Sequence, residues 1–178
     1  MNKILLVLVG NIGSGKSTFT KALVEKDFVV ISRDSLRYAI GAGRYICTPK
    51  YEPTIHQLHV TLLNNFMRLG SNIVIDSTNI SRVARKNYIE EGHENNYKVI
   101  AIELPRYSKE VSVTRRLSQN HGTVSGTHWE DIWERFNNRY QSPTKEEGFD
   151  HVITINGDLP KDSVYSLIEE ALNGYHNL

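Results

Sequence analysis

Six apolar residues, Ile4-Leu5-Leu6-Val7-Leu8-Val9, run without interruption into Gly10-Asn11-Ile12-Gly13-Ser14-Gly15-Lys16-Ser17-Thr18. A short apolar run closed by glycine reads as a strand buried on both faces. The loop behind it fits G-x-x-x-x-G-K-[ST], a pattern that carries weight only between a strand and a helix, as here. Its residue types have physical reasons. Glycines let the backbone curl until successive N–H groups point inward at phosphate oxygens. A helix starting near Gly15 aims its positive end at the same anion. Lys16 adds a point charge for the outer phosphates, and the Ser17 hydroxyl can ligate Mg²⁺. The nine residues Gly10 to Thr18 therefore point to a nucleoside triphosphate with Mg²⁺. They do not say where its phosphate goes.

The rest of the chain alternates apolar runs with helix-period segments, the pattern of an α/β fold with a mainly parallel sheet. The expected strands are 4–9, 28–31, 72–75, 98–104 and 151–155, a five-stranded sheet with helices on both faces. At 178 residues the expectation is one domain. A net charge of +1 gives no general field for a long duplex, so any nucleic-acid contact should be local, as at a strand end. The single cysteine, Cys47, suits a reducing compartment and a packing role. No apolar run reaches membrane-spanning length. The opening Met-Asn-Lys-Ile-Leu-Leu resembles a signal sequence in composition, but the loop that follows marks it as a core strand. The expected location is the cytoplasm.

The first helix is expected from Ser17 to about Glu25. A helix from Pro53 should bury Ile55, Leu58, Leu62, Phe66 and Leu69 and end at Gly70. Ser81 should cap a helix bearing Arg82, Arg85 and Lys86, either a solvated basic face or a hold on nucleic-acid phosphates. A further helix runs from about Ser108 to Asn120. Thr127-His128-Trp129-Glu130 fits a capping box for a helix with Trp129, Ile132, Trp133, Phe136 and Tyr140 at core spacing, read as core or core-edge packing, with base stacking the alternative. The last helix is expected at about Pro160–Leu172. Segments 41–50 and 122–127 read as mobile loops. His56 and His59 lie i, i+3 on a helix with no partner in zinc-like register, which reads as a non-metal pair.

Ligands on an open parallel sheet bind beyond the carboxyl ends of its strands. The second strand is followed by Ser32-Arg33-Asp34-Ser35-Leu36-Arg37 and the third by Asp76-Ser77-Thr78-Asn79. Asp34 and Asp76 thus reach the edge that carries the phosphate loop. Phosphoryl transfer needs positioning, charge neutralisation and a group to accept the hydroxyl proton. Asp34 is the candidate acceptor of that proton and, with Ser17, a candidate metal-facing group. Asp76 ends an apolar strand, as a Walker-B-type aspartate does, and could hold Mg²⁺ through water. The alternative for both is helix capping. Asn79 reads equally as a cap or a substrate ligand. Arg37, one turn after Asp34, could hold an acceptor phosphate or form a surface ion pair. Arg115 and Arg116 would form an arginine-bearing lid over the triphosphate or a solvated basic face.

The set GNIGSGKST, SRDSLR, DSTN and an arginine helix resembles the polynucleotide 5′-kinase branch of P-loop kinases, the kinase domains of bacteriophage and bacterial polynucleotide kinase, with zeta-toxin-like relatives. The resemblance spans roughly residues 3–155, and its most discriminating part is Arg33-Asp34-x-x-Arg37. It implies a P-loop NTPase fold and ATP with Mg²⁺. It also implies Asp34 as the base that activates a 5′-hydroxyl, and Arg37 on the acceptor's phosphate. Asp76, Thr78 and Asn79 would match its D-x-T-N element, and Arg116 its lid arginine. The family's lid commonly reads arginine-asparagine with another arginine a turn later; here Arg115-Arg116-Leu117-Ser118-Gln119-Asn120 lacks or displaces the second one. No D-x-D-x-T phosphatase motif follows, so 3′-phosphatase activity is not expected. The expected acceptor is the 5′-OH of a DNA or RNA end. The alternatives are a hydroxymethylated base in DNA, a nucleoside or other small-molecule hydroxyl, or, in another class, an NTP-binding switch or ATPase with no acceptor.

Overall fold

The computed structural model describes residues 3–119 and 126–157, together with Ser166 and Ile168 beyond them. Strands β1 (Lys3–Val9), β2 (Phe28–Ser32), β3 (Asn72–Asp76), β4 (Tyr97–Glu103) and β5 (His151–Thr154) form one sheet in the order β2-β3-β1-β4-β5. Every pairing is parallel. The sheet expected to be mainly parallel is wholly so among the described residues, and the P-loop strand lies at its centre.

Among the described residues the α-helices with full bounds are, in chain order, α1 (Lys16–Val24), α2 (Arg33–Ile40), α3 (Glu52–Arg68), α4 (Arg82–Glu94), α5 (Lys109–Leu117) and α6 (Gly126–Asn137). The alternation along β1 divides the core in two. Ile4, Leu6 and Leu8 pack with Phe19 and Leu23 of α1, and with Ile168, on one face. Leu5 and Val7 pack with Leu63 and Met67 of α3 and Ile89 of α4 on the other. Both faces of β1 are thereby sealed, which is why its sequence is apolar without alternation. A third cluster of Ile12, Val113 and Trp129, flanked by Ile132, Trp133 and Phe136, joins the phosphate loop to α5 and α6. Trp129 of α6 is therefore core and Trp133 and Phe136 lie at its edge, whereas Tyr140 falls beyond α6 and donates its hydroxyl to Glu103.

Several sequence expectations are corrected. The buried stripe of α3 is Ile55, His59, Leu63 and Met67, one step round from the predicted face; Leu58 and Leu69 are exposed. The stripe follows the histidine because His59 Nε2 pairs with the Tyr88 hydroxyl of α4 at 2.9 Å. Helix α6 already includes Gly126 and Thr127, so Thr127 is not its cap. Arg85, read as part of a basic face, is wholly buried. It makes two contacts to Glu147, at 2.8 and 2.6 Å, and donates to the carbonyls of Asn79 and Gln141. The 41–50 segment is tied to α2 through Tyr45 rather than hanging loose. Of the predicted last helix only Ser166 and Ile168 are described, both helical; its remainder, Asn120 and most of segment 122–127 lie outside the described residues.

Candidate active site

The loop between β1 and α1 is shaped by close approaches. Gly13 has φ +68°, and a Cβ there would sit 2.6 Å from the Ser112 carbonyl oxygen of α5. Only glycine lets the loop lie against the α5 backbone. Gly15, at φ +97°, precedes α1 with no side-chain cap, which leaves the first N–H groups of that helix for a ligand. Gly10 is needed for space: a Cβ would meet Ser14 Oγ at 2.5 Å. Its N–H donates to the Thr78 carbonyl at 3.0 Å, which joins the loop to the segment after β3. Asn11 acts internally. Its amide donates to the Trp133 carbonyl, and its side-chain oxygen accepts from Ile12 N–H.

Lys16 Nζ lies over the loop, 2.9 Å from the Gly10 carbonyl and 2.8 Å from that of Asn11. Burial lowers its pKa to about 8, although Asp76 and Asp34 pull it upward. An ammonium held this way is poised to exchange two neutral carbonyls for phosphate oxygens. Next to it, Ser17 Oγ donates to Asp76 Oδ2 at 3.0 Å. Burial raises the Asp76 carboxyl above its usual value, outweighing Lys16 and the Ser17 hydroxyl. Two hard oxygen donors beside a phosphate loop suit Mg²⁺, which takes one or two protein oxygens and completes its shell with water and phosphate.

Register sets Asp34. Ser32 pairs with Asp76 at the sheet edge, and Ser32 Oγ caps α2 by accepting from Ser35 N–H. Asp34, two residues on, is therefore not the cap and projects from the first turn. Its Oδ1 accepts from Arg37 at 2.7 Å and from the Tyr45 hydroxyl at 2.8 Å; its Oδ2 accepts from Arg116 at 3.1 Å. Burial pushes this carboxyl up, but Arg116, Tyr45 and Arg37 together hold it below the ordinary value. It is ionised at neutral pH, as a proton acceptor must be. Both its oxygens are engaged by these donors, and the carboxylate beside Ser17 is that of Asp76. Arg37 is in turn gripped by Glu52 through two hydrogen bonds, at 2.9 and 2.7 Å. Sequence reasoning named neither Tyr45 nor Glu52.

The adjacent arginines of α5 part company. The Arg116 guanidinium lies 4.4 Å from the Trp129 ring centroid and reaches across to Asp34. Arg115 lies 3.9 Å from the Tyr107 ring and donates weakly to the Gly13 carbonyl at 3.4 Å. They face two cavities, one on each side of the phosphate loop. The first, about 370 Å³, is bounded by Phe19, Leu104, Tyr107, Arg115 and Ile155. The second, about 340 Å³, is bounded by Lys16, Asp34, Arg37, Asp76, Arg116 and Trp129, with Ser17 and Thr78 also on its wall. Gly13, Ser14, Gly15, Thr18 and Gln119 border both. Of six buried polar atoms without a hydrogen-bond partner among the described residues, three, Arg33 Nε, Ser77 Oγ and Arg116 Nε, belong to residues lining the second cavity.

Asn79 is the clearest correction among the site residues. It is buried at φ +44° and its amide donates to the Leu8 carbonyl at 2.8 Å. It borders neither cavity and caps no helix, since Ser81 caps α4. Arg139 and residues 142–148 also border neither cavity; Thr144 and Glu147 instead belong to the Arg85 clamp. Among the described residues no group of three or more His, Cys, Asp or Glu is placed to hold a metal, and no helix is long and apolar enough to cross a membrane.

The chain is similar to known proteins in sequence and fold. The AAA domain family matches residues 5–143. A mimivirus protein (Acanthamoeba polyphaga mimivirus) named as a bifunctional polynucleotide phosphatase/kinase is 28% identical over 159 residues, covering 86% of this chain and 33% of its own length. A baculovirus protein (Autographa californica nuclear polyhedrosis virus) named as a bifunctional polynucleotide kinase/RNA ligase is 23% identical over 172 residues, covering 90% of this chain and 24% of its own. The chain thus spans a third or less of these curated relatives. Among solved structures, a kinase from Chloroflexus aurantiacus superposes with a TM-score of 0.72 at 16% identity, over 97% of both chains, which shows a shared fold.

Proposed function

The chain belongs to the AAA domain family of P-loop proteins, and from that premise we propose an ATP-dependent kinase that moves the γ-phosphate to a hydroxyl, most favourably the 5′-OH of a DNA or RNA end, in the cytoplasm. The observation that carries the reading is the bridge from Arg116 of α5 to Asp34 of α2. It lies in one cavity with Lys16, while a second cavity lies across the loop. A switch or simple ATPase has no acceptor to house, so room for a second substrate beside the phosphate loop favours a transferase. Both curated relatives carry polynucleotide kinase in their names, which favours a nucleic-acid acceptor.

In this reading the base and sugar of ATP occupy the cavity between Tyr107, Arg115 and Ile155. The N–H groups of Gly13, Gly15, Lys16 and Ser17, at the start of α1, hold its phosphates. Lys16 leaves the loop carbonyls to neutralise the outer phosphates. Ser17 and Asp76, rather than Asp34, would hold Mg²⁺, which when bound supplies charge neutralisation on the phosphates. The acceptor enters the other cavity. Asp34 takes its hydroxyl proton, Arg37 meets its phosphate once Glu52 gives way, and Thr78 borders its path. Arg116 stays stacked on Trp129 and meets the negative charge of the phosphoryl group in flight.

The test offers γ-labelled ATP to 5′-OH DNA and RNA oligonucleotides, hydroxymethyluracil DNA and nucleosides in parallel. Label on 5′ ends is expected. Label on the other acceptors alone removes the polynucleotide assignment, and hydrolysis with no acceptor labelled removes the kinase. Asp34→Asn should lower transfer by ~10²-fold or more while ATP binding, read by calorimetry, is retained.

A further inference from the structure

Asp34 has three hydrogen-bond donors, and they differ in kind. Arg37 and Arg116 are guanidiniums, which have no nucleophilic atom to offer. The third is the phenolic hydroxyl of Tyr45, 2.8 Å from Oδ1. A hydroxyl donating to this carboxylate, in the cavity that also holds Lys16 and Arg116, makes the contact that an acceptor alcohol would make. The two arginines are fixed from behind, Arg37 by Glu52 and Arg116 by Trp129. Tyr45 comes from residues 41–48, which have no helix or strand and turn through Ala42 and Gly43 at positive φ. It is held from behind by the Tyr38 ring, at 5.2 Å between centroids.

We propose that Tyr45 is an internal phosphate acceptor: without an outside hydroxyl, the protein transfers the γ-phosphate of ATP to Tyr45 Oη. The inference rests on the phosphotransfer reading above. The phenolic O–H bond breaks and its proton passes to Asp34. Oη forms a new bond to the γ-phosphorus, the bond from that phosphorus to the bridging oxygen breaks, and ADP leaves with the electron pair. The product is a phosphotyrosine between Arg37 and Arg116, whose charge repels Asp34 and fills the acceptor's place. The reaction is a dead end that closes the site when no acceptor is present. An outside acceptor displaces Tyr45 from Asp34 and protects it.

The full chain is incubated with γ-labelled ATP and Mg²⁺, with and without a 5′-OH oligonucleotide. Trypsin then releases residues 45–50 between Arg44 and Lys50 for fragmentation. Without oligonucleotide, label should approach one phosphate per chain on Tyr45, at a rate unchanged by diluting the protein. Oligonucleotide should suppress it. Asp34→Asn should lose it by ~10²-fold or more, and Tyr38→Phe should keep it. A labelled oligonucleotide with no phosphate on Tyr45 overturns the proposal and leaves the kinase standing. Label on neither overturns both. Phosphate on Tyr45 that persists undiminished in Asp34→Asn overturns the proposal as well.

Discussion

Lys16 stands between two environments that pull its proton in opposite directions. Burial favours the neutral amine, Asp76 and Asp34 favour the ammonium, and burial prevails, lowering the pKa from 10.5 to about 8. A lysine lowered in this way loses its charge as pH rises through about 8, whereas the unfolded chain keeps it to 10.5. The kcat/KM for ATP should therefore fall above about pH 8. A profile that stays flat well above that pH would show that this ammonium does not limit ATP capture. Lys16, Asp34 and Asp76 could be read from the chain because local spacing after a strand fixes where each side chain emerges. Tyr45, Glu52 and Arg85 could not. Tyr45 sits in a segment with no periodicity, Glu52 becomes relevant only when α3 folds back on α2, and Arg85 owes its burial to Glu147, 62 residues away. Asn79 misled because its motif position is real but its amide is committed to Leu8.

Helix α5 is held against the phosphate loop at a distance that only glycine permits. Gly13→Ala adds a Cβ within 2.6 Å of the Ser112 carbonyl at a residue already at φ +68°. The expected cost is about 1–3 kcal/mol, with weaker ATP binding as α5 is pushed off; urea unfolding and calorimetry measure both. An Ala variant with wild-type stability and affinity would mean that α5 yields freely. Helix α4 makes the opposite kind of contact, a buried charge pair. Arg85→Met strands Glu147, which is buried, and should lose about 3–5 kcal/mol by urea titration. Adding Glu147→Leu should recover much of it. The helix boundaries were legible to within a few residues because caps such as Ser81 and Ser108 are local. The faces were less so, since the stripe of α3 is decided by what α4 presents to it.

At the scale of the whole molecule, two cavities lie beside the phosphate loop, and the proposed function assigns one substrate to each. Initial-rate measurements should therefore give intersecting lines, the pattern of a ternary complex. Parallel lines would mean a phosphorylated protein on the main path, against both the two-cavity reading and the dead-end role given to Tyr45. The sheet was legible throughout: five apolar runs became five strands whose order places β1 at the centre. The cavity on the Arg115 side was not, because Tyr107, Leu104 and Ile155 carry no motif and meet only when β4 and β5 stand side by side.

Thr18 and Gln119 border both cavities, whereas Tyr107 and Trp129 each border only one. Substitutions can therefore be sorted by address. A change at Tyr107 or Ile155 should alter which nucleotide is preferred and leave the choice of alcohol untouched. A change at Glu52 or Trp129 should do the reverse. Variation at Thr18 or Gln119, as at the loop residues Gly13, Ser14 and Gly15, has no such privacy, and there selection on donor and acceptor must be negotiated together.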